Sequence, residues 1–366
     1  MIHRQIDVAL GDHSYPLIAG TDMLSSFAPI CRHHGISDTV VIITDRNVAR
    51  LYLQPLLRNL LHHKFQPLTI TIPVGEKQKT LTCANKLFTE MLKKRIPRNA
   101  AVIALGGGVI GDLAGFVAAT YQRGIKLVQV PTTLLAQVDS SIGGKVGVDH
   151  PLGKNMIGAF HQPVFVWMDT DYLKTLPKRE VICGLGEVIK YGVIRDAELF
   201  TYLESNLDEV LRLDTEAVMH VQAKCAAIKA EIVSQDEKES GIRIIFNYGH
   251  TIGHGLESAG RYKLLKHGEA VLLGMIGEAS IAKEMKLLDA DSHERLVSLI
   301  RRTPMKANLS SLKMADIINA IGRDKKRVAK KLRFVLPTKI GEVKVVDDVE
   351  PKLIQAVVKR ILKTTL

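Results

Sequence analysis

His250 and His254 stand four residues apart in Asn247-Tyr-Gly-His250-Thr-Ile-Gly-His254. On a helix that spacing puts both imidazoles on one face, where they can act as a metal-ligand pair. The chain has 13 histidines, and a single one more often serves packing or faces solvent, so spacing alone leaves the ligand set open. A second feature is Gly106-Gly107-Gly108-Val109-Ile110-Gly111-Asp112, formally GxGxxG, placed after the apolar run Ala101–Leu105. Glycines there let the backbone approach a pyrophosphate while helix N-terminal amides face the anion. A tight strand–helix turn without a ligand has the same pattern. The ribose-binding acid that usually follows about 20 residues later is not clear here, where the chain reads Val128-Gln-Val-Pro-Thr132-Thr133. A nucleotide at this loop is therefore not held in the standard Rossmann manner.

The scaffold for these groups changes character along the chain. Residues 3–10 and 15–19 read as strands around Gly11-Asp12-His13-Ser14, and 39–44, 68–72, 101–105 and 126–130 as short buried parallel strands. Helical patterns at 50–62 and 80–94 lie between them, which predicts a Rossmann-like α/β domain over 1–178. From 179 to 366 apolar residues recur at helical spacing, predicting helices at 180–193, 196–211, 214–235, 250–258 and 268–286. Two short strands (331–336 and 342–346) and a helix at 350–363 close this mainly α-helical second domain.

Bulk composition narrows the function classes. The formal charge is +12, with much of the excess after Arg301 in Arg323-Asp-Lys-Lys-Arg327 and Lys330-Lys331. There is little aromatic interleaving there and no nucleic-acid motif, so anionic small ligands and a solvated basic face account for the charge. No run approaches the roughly 20 apolar residues of a membrane span, and the N-terminus lacks a signal-peptide core. The expectation is a cytoplasmic protein with no membrane or nucleic-acid partner. Cys31, Cys83, Cys183 and Cys225 are scattered without a CxxC pair, which fits neither a disulfide framework nor a thiolate zinc site.

Longer motifs are more specific. Gly106–Asp112 continues through Leu-Ala-Gly-Phe-Val-Ala-Ala-Thr-Tyr-Gln-Arg123-Gly. Next come Val130-Pro-Thr-Thr-Leu-Leu-Ala-Gln-Val-Asp139-Ser-Ser-Ile-Gly-Gly-Lys145 and Pro151-Leu-Gly-Lys154-Asn155. Gly186-Glu187-Val-Ile-Lys190-Tyr-Gly, the His250/His254 segment, His267-Gly-Glu and Asp324-Lys325-Lys326 complete the set. In this order, across nearly the whole chain, the motifs resemble the 3-dehydroquinate synthase family. The resemblance implies a dehydroquinate synthase-like fold, NAD, one divalent ion (Zn²⁺ or Co²⁺) and a homodimer. It also implies conversion of 3-deoxy-arabino-heptulosonate 7-phosphate to 3-dehydroquinate in the shikimate pathway of aromatic amino acid biosynthesis. The implied route is oxidation, phosphate β-elimination, reduction, ring opening and aldol closure.

Site roles follow from the same resemblance. It assigns the metal to Glu187, His250 and His267 and leaves His254 to proton handling. A His₂Glu set keeps coordination positions open for substrate oxygens. NAD is assigned to Asp45, Asn47, Glu76, Lys79, Gly107, Gly108, Asp112, Thr132, Thr133, Lys145, Lys154 and Thr175. Asp45 has an alternative reading as a strand-end helix cap. The doubly anionic substrate is assigned to Lys145, Asn155, Lys190, Lys229, Arg243, Asn247, Lys325 and Lys326, with Asp139 in the same polar set. Arg123 is expected to reach a neighbouring subunit's substrate phosphate. Lys145, Lys190 and Lys229 lie in apolar or glycine-rich surroundings, where an unpaired ammonium is costly. The chain departs from the family pattern at Gly186, where Ala is usual, at Tyr248, and at Ile321-Gly-Arg before Asp324. Competing readings are another sugar phosphate cyclase, a metal-dependent polyol dehydrogenase, which would release net NADH, and a non-catalytic scaffold.

Overall fold

Short β-branched runs bounded by turns favour buried strands over helices. The computed structural model, which describes residues 2–306, 308–325 and 332–363, builds most of them into one sheet. In chain order the first elements are β1 (Ile2–Val8), β2 (Tyr15–Thr21), α1 (Phe27–His33), β3 (Thr39–Asp45), α2 (Arg46–Val48), α3 (Gln54–His62), β4 (Gln66–Ile72) and α4 (Leu81–Lys93). They continue as β5 (Ala101–Gly106), α5 (Gly108–Thr120), β6 (Lys126–Pro131), β7 (Lys145–His150), β8 (Gly153–Phe160) and β9 (Phe165–Asp169). Seven strands pair in the order β1-β2-β9-β6-β5-β3-β4. β1 is antiparallel to β2, and every other neighbouring pair is parallel. β5 and β9 are buried at every residue, as parallel strands covered on both faces must be. β4 is one of the two edge strands, where Pro67 costs no ladder bond to a further neighbour.

Leu56 and Leu60 of α3 pack with Phe27 and Cys31 of α1 on one sheet face. Leu87 and Met91 of α4 and Leu113 and Val117 of α5 cover the other. The adjacent strands β3 and β5 thus send their helices to opposite faces. That divergence opens a crevice at their carboxyl ends, the usual ligand position in a doubly wound sheet.

Two compact units emerge: Met1–Leu176 with Leu213–Lys238, and Pro177–Arg212 with Glu239–Leu366. After α6 (Lys178–Ile194) and α7 (Ala197–Leu211), α8 (Thr215–Gln235) returns to the first unit. Its Ala226, Ala230 and Val233 pack on Val8, Tyr15, Leu17 and Val166. An uninterrupted second domain from 179 onward does not describe this segment. Helical periodicity identifies a helix without saying which core its apolar face joins.

The second unit continues with a 3₁₀ turn at Ile242–Asn247, then α9 (His250–Ala259), α10 (His267–Glu284), α11 (Ala290–Arg301) and α12 (Met314–Lys325). The hairpin β10 (Phe334–Lys339) and β11 (Glu342–Val346) and the helix α13 (Pro351–Leu362) complete it. α6 is buried continuously from Val181 to Ile194, and α10 almost continuously from Gly268 to Ala282. Helices apolar on all sides are the ones enclosed by others, and α10 is flanked by α6, α9, α11, α13 and β10. Among the described residues no helix is long and apolar enough to cross a membrane.

Candidate active site

Glycines set the geometry of the second unit's polar cluster. A Cβ on Gly186 of α6 would stand 2.7 Å from the carbonyl oxygen of Gly268, and one on Gly268 of α10 would overlap the carbonyl oxygen of Cys183. Gly249, at φ +80, lies against Val271 and Met275 of α10 in the same way. The residue next to each close contact carries a donor: Glu187, His267 and His250. These three offer ligand atoms that all lie within 4.8 Å of one another. His250 Nε2 is 3.7 Å from Glu187 Oε1, and His267 Nε2 is 3.5 Å from the same oxygen. Tetrahedral donors about 2.1 Å from a zinc-like ion stand about 3.4 Å apart, so the residues fit a divalent cation.

The other ring nitrogens are held by oxygens. His250 Nδ1 lies 3.1 Å from the Tyr248 carbonyl, and His267 Nδ1 lies 3.2 Å from Glu257 Oε2. Such partners fix the tautomer that presents Nε2 to a metal. Burial, then the Lys190 ammonium, hold His250 well below the usual imidazole range. Burial also opposes charge on His267, but hydrogen bonds to Glu187 and Glu257 outweigh it and lift the ring to about 10. Glu187 pairs with Lys190 one helical turn away. The Lys190 ammonium also lies 5.4 Å from the centres of the Tyr191 and Phe246 rings. His254 is exposed, with its ring 5.2 Å from that of His250. With Glu257 and His267 it forms a second donor group that shares one histidine with the first. Sequence reading missed Glu257. Its signal was position: with His250 and His254 it lies on one side of α9, as a buried acid seven and three residues on.

In the first unit the expected NAD residues gather at the carboxyl ends of parallel strands. Asp45 ends β3, Glu76 and Lys79 follow β4, Gly107 and Gly108 follow β5, Thr132 and Thr133 follow β6, and Thr175 comes shortly after β9. A Cβ on Gly107 would stand 2.9 Å from the Thr133 methyl, so this turn needs glycine. Lys79, buried, reaches Asp112 Oδ2 at 2.5 Å and also donates to Asn155. Burial disfavours its charge, but Asp112, Glu76 and Asp149 overcome that and raise its pKa. Lys154 lies 3.4 Å from Glu76. Tyr52 and Thr175 share a hydroxyl–hydroxyl bond of 2.5 Å. Asp45 Oδ1 accepts from the N–H groups of Asn47 and Val48, so the helix-cap role is real for that oxygen. Asn47 is exposed.

Among the expected substrate residues, Lys229 of α8 donates to Asp139 at 2.5 Å. Lys190, Lys229 and Arg243 are buried, while Asn155 and Asn247 are exposed. Lys145 departs from expectation and is exposed. Gly143 and Gly144, at φ +97 and +66, turn the chain into β7 and are themselves buried, while Lys145 at the start of that strand is exposed. Arg123 is exposed in a turn at φ +69. Lys325 ends α12, and Lys326 lies outside the described residues.

The model of the 3-dehydroquinate synthase N-terminal region matches residues 69–183, and that of the 3-dehydroquinate synthase C-terminal region matches 184–327. A 3-dehydroquinate synthase from Desulforamulus reducens is 46% identical over 356 residues, covering 97% of this chain and 99% of that one. Among solved structures, the 2-epi-5-epi-valiolone synthase of Streptomyces hygroscopicus subsp. jinggangensis, with NAD⁺ and Zn²⁺ bound, superposes at TM-score 0.88. It is 28% identical, with 96% and 98% of the two chains covered. A 2-deoxy-scyllo-inosose synthase complexed with carbaglucose-6-phosphate, NAD⁺ and Co²⁺ gives 0.86 at 27% identity, covering 98% and 99%.

Proposed function

The chain belongs to the 3-dehydroquinate synthase family, and from that membership we propose how its residues carry out the conversion of 3-deoxy-arabino-heptulosonate 7-phosphate to 3-dehydroquinate and phosphate. The reaction makes it a carbon–oxygen lyase acting on a phosphate. The observation that carries the reading is the convergence of Glu187, His250 and His267, far apart in the chain, on positions one ion can share. When bound, NAD supplies reversible hydride removal and a Zn²⁺ or Co²⁺ ion supplies Lewis acidity toward substrate oxygens.

The protein's own groups bind and move protons. Gly107 and Gly108 bring backbone amides and the start of α5 to a pyrophosphate, and Lys79 and Lys154 add positive charge. Asp45, Asn47, Glu76, Asp112, Thr132, Thr133, Lys145 and Thr175 complete the NAD contacts. Glu187, His250 and His267 hold the ion, and Glu257 and the Tyr248 carbonyl orient the two imidazoles. Lys190, beside Glu187, donates to a developing oxyanion, and the exposed imidazole of His254 exchanges protons with substrate hydroxyls. Lys145, Asn155, Lys229, Arg243, Asn247, Lys325 and Lys326 match the carboxylate and phosphate of the substrate, with Asp139 orienting Lys229. In a homodimer the exposed Arg123 reaches the phosphate of the neighbouring subunit's substrate.

The test is phosphate release from the heptulosonate phosphate, with and without NAD and a chelator, on protein stripped of endogenous cofactor. Release requires both cofactors and leaves no net NADH. Release that survives omission of NAD together with chelation overturns the assignment, and net NADH points to a dehydrogenase instead. Product analysis separates this cyclase from those acting on other sugar phosphates.

A further inference from the structure

Glu278 lies in the middle of α10 with no exposed surface and takes no part in the donor group described above. Its Oε2 accepts the N–H of Gly249 at 2.6 Å, and its Oε1 accepts that of Ile252 at 3.2 Å. Both belong to the start of α9, whose first helical residue is His250. The first N–H groups of any helix lack partners within the helix, and here they are enclosed, since Tyr248, Gly249, Ile252 and Gly253 are all buried. The usual remedy is a capping side chain on the residue before the helix. That residue is Gly249, at φ +80, and it has none to offer. The carboxyl of Glu278 supplies the cap from another helix, at the end of α9 where the helix dipole favours negative charge. Burial pushes this carboxyl up to about 8 against the pull of the Gly249, Ile252 and Thr251 N–H groups.

The same turn is pinned a second time. Tyr248, fully buried, donates its hydroxyl to the Met275 carbonyl of α10 at 3.1 Å, and its own carbonyl holds His250 Nδ1. We propose that Glu278 is a positioning residue for the metal site: by capping α9 from α10 it fixes the backbone from which His250 presents Nε2 to the ion. This rests on the reading that His250 is a ligand, and the experiment separates the two.

Apo forms of the full chain carrying Glu278→Ala, Glu278→Gln or His250→Ala are titrated with Co²⁺, followed by its visible d–d absorption, and with Zn²⁺ against a chromophoric chelator. Loss of a group that orients a ligand lowers metal affinity by about 10–100-fold. Glu278→Ala is expected to fall in that range with an altered Co²⁺ spectrum. Glu278→Gln, which keeps one acceptor for Gly249 but cannot accept twice, recovers part of the loss. NAD binding and far-ultraviolet circular dichroism stay as in the parent. If Glu278→Ala fails to fold, Glu278→Gln alone decides, by weaker metal binding and a shifted spectrum. Parental affinity and spectrum in the soluble Glu278 variants, with binding lost in His250→Ala, overturn the positioning role alone. Parental metal affinity in His250→Ala overturns the ligand assignment beneath it.

Discussion

Gly186 of α6 and Gly268 of α10 meet backbone to backbone: a Cβ on Gly186 would stand 2.7 Å from the Gly268 carbonyl oxygen. Each is followed or preceded directly by a proposed ligand, so the contact sets the 3.5 Å separation of Glu187 and His267. An alanine at position 186 would not fit this approach unless the helices moved apart. Gly268→Ala is expected to destabilise the protein by about 1–3 kcal/mol, the usual range for overpacking a tight contact, and to lower bound metal. Denaturant unfolding and elemental analysis check it. Unchanged metal content in a destabilised protein would mean that the crossing serves packing alone.

Metal loading stabilises the native state because the unfolded chain does not assemble the three donors. Free ion at 100 times its dissociation constant adds about 2.7 kcal/mol. A thermal melt with Zn²⁺ or Co²⁺ added to chelator-stripped protein is therefore expected to shift upward, and His267→Ala to abolish most of the shift. An equal shift in His267→Ala would place the stabilising ion elsewhere.

How much of this was legible from the sequence differs between the two units. Val40–Ile43 and Ala101–Leu105 announce buried parallel strands, because strands covered on both faces are continuously apolar. β7 and β8 did not announce themselves: Gly147, Gly153 and Gly158 and the polar Lys154 and Asn155 break any alternation. The place of α8 was hidden because its apolar positions fit any core. His250 and His254 advertised chemistry through spacing, yet spacing gave no reason to prefer His267 over His254. That preference came from family resemblance; in the structure His250 Nε2 and His267 Nε2 stand 3.7 and 3.5 Å from Glu187 Oε1. Glu257 shared a helix side with His250 and His254 but was passed over, and Glu278 had no such cue, because an acid on a helix is ordinarily a solvated one; packing reveals that both are enclosed.

The cysteines give a check that does not depend on activity. All four are buried and none forms a disulfide. Burial pushes Cys31 and Cys183 up to about 12 and also raises Cys83. The thiolate is the reactive form, and a raised thiol pKa leaves very little of it at mildly alkaline pH. A disulfide reagent at pH 8 is expected to titrate no fast-reacting thiol in the native protein and all four after denaturation. Raising the pH by one unit should not release a fast-reacting class. A rapid equivalent in the native state would contradict the packing around these residues.

Lys229 and Asp139 present the sharpest test of the substrate assignment within the first unit. The ammonium donates to Asp139 Oδ1 at 2.5 Å, with side chains only 8% and 20% exposed. α8 is braced beside the same turn, since Gln222 donates to Gln137 Oε1 at 2.8 Å and to the Met168 carbonyl at 3.2 Å. A buried cation held this way is preorganised for an anion and needs little rearrangement when one arrives. Lys229→Met keeps much of the apolar stem and removes the charge. It is expected to lower kcat/KM for the heptulosonate phosphate by about 10²–10³, the scale for losing one preorganised electrostatic contact, while the NAD dissociation constant stays unchanged. Asp139→Asn retains an acceptor for the ammonium but not its counter-charge, so its loss should be smaller and of the same kind. Steady-state kinetics with a separate NAD titration distinguishes the cases. If Lys229→Met weakens NAD and leaves kcat/KM at saturating NAD intact, the pair belongs to the nucleotide and not to the sugar acid.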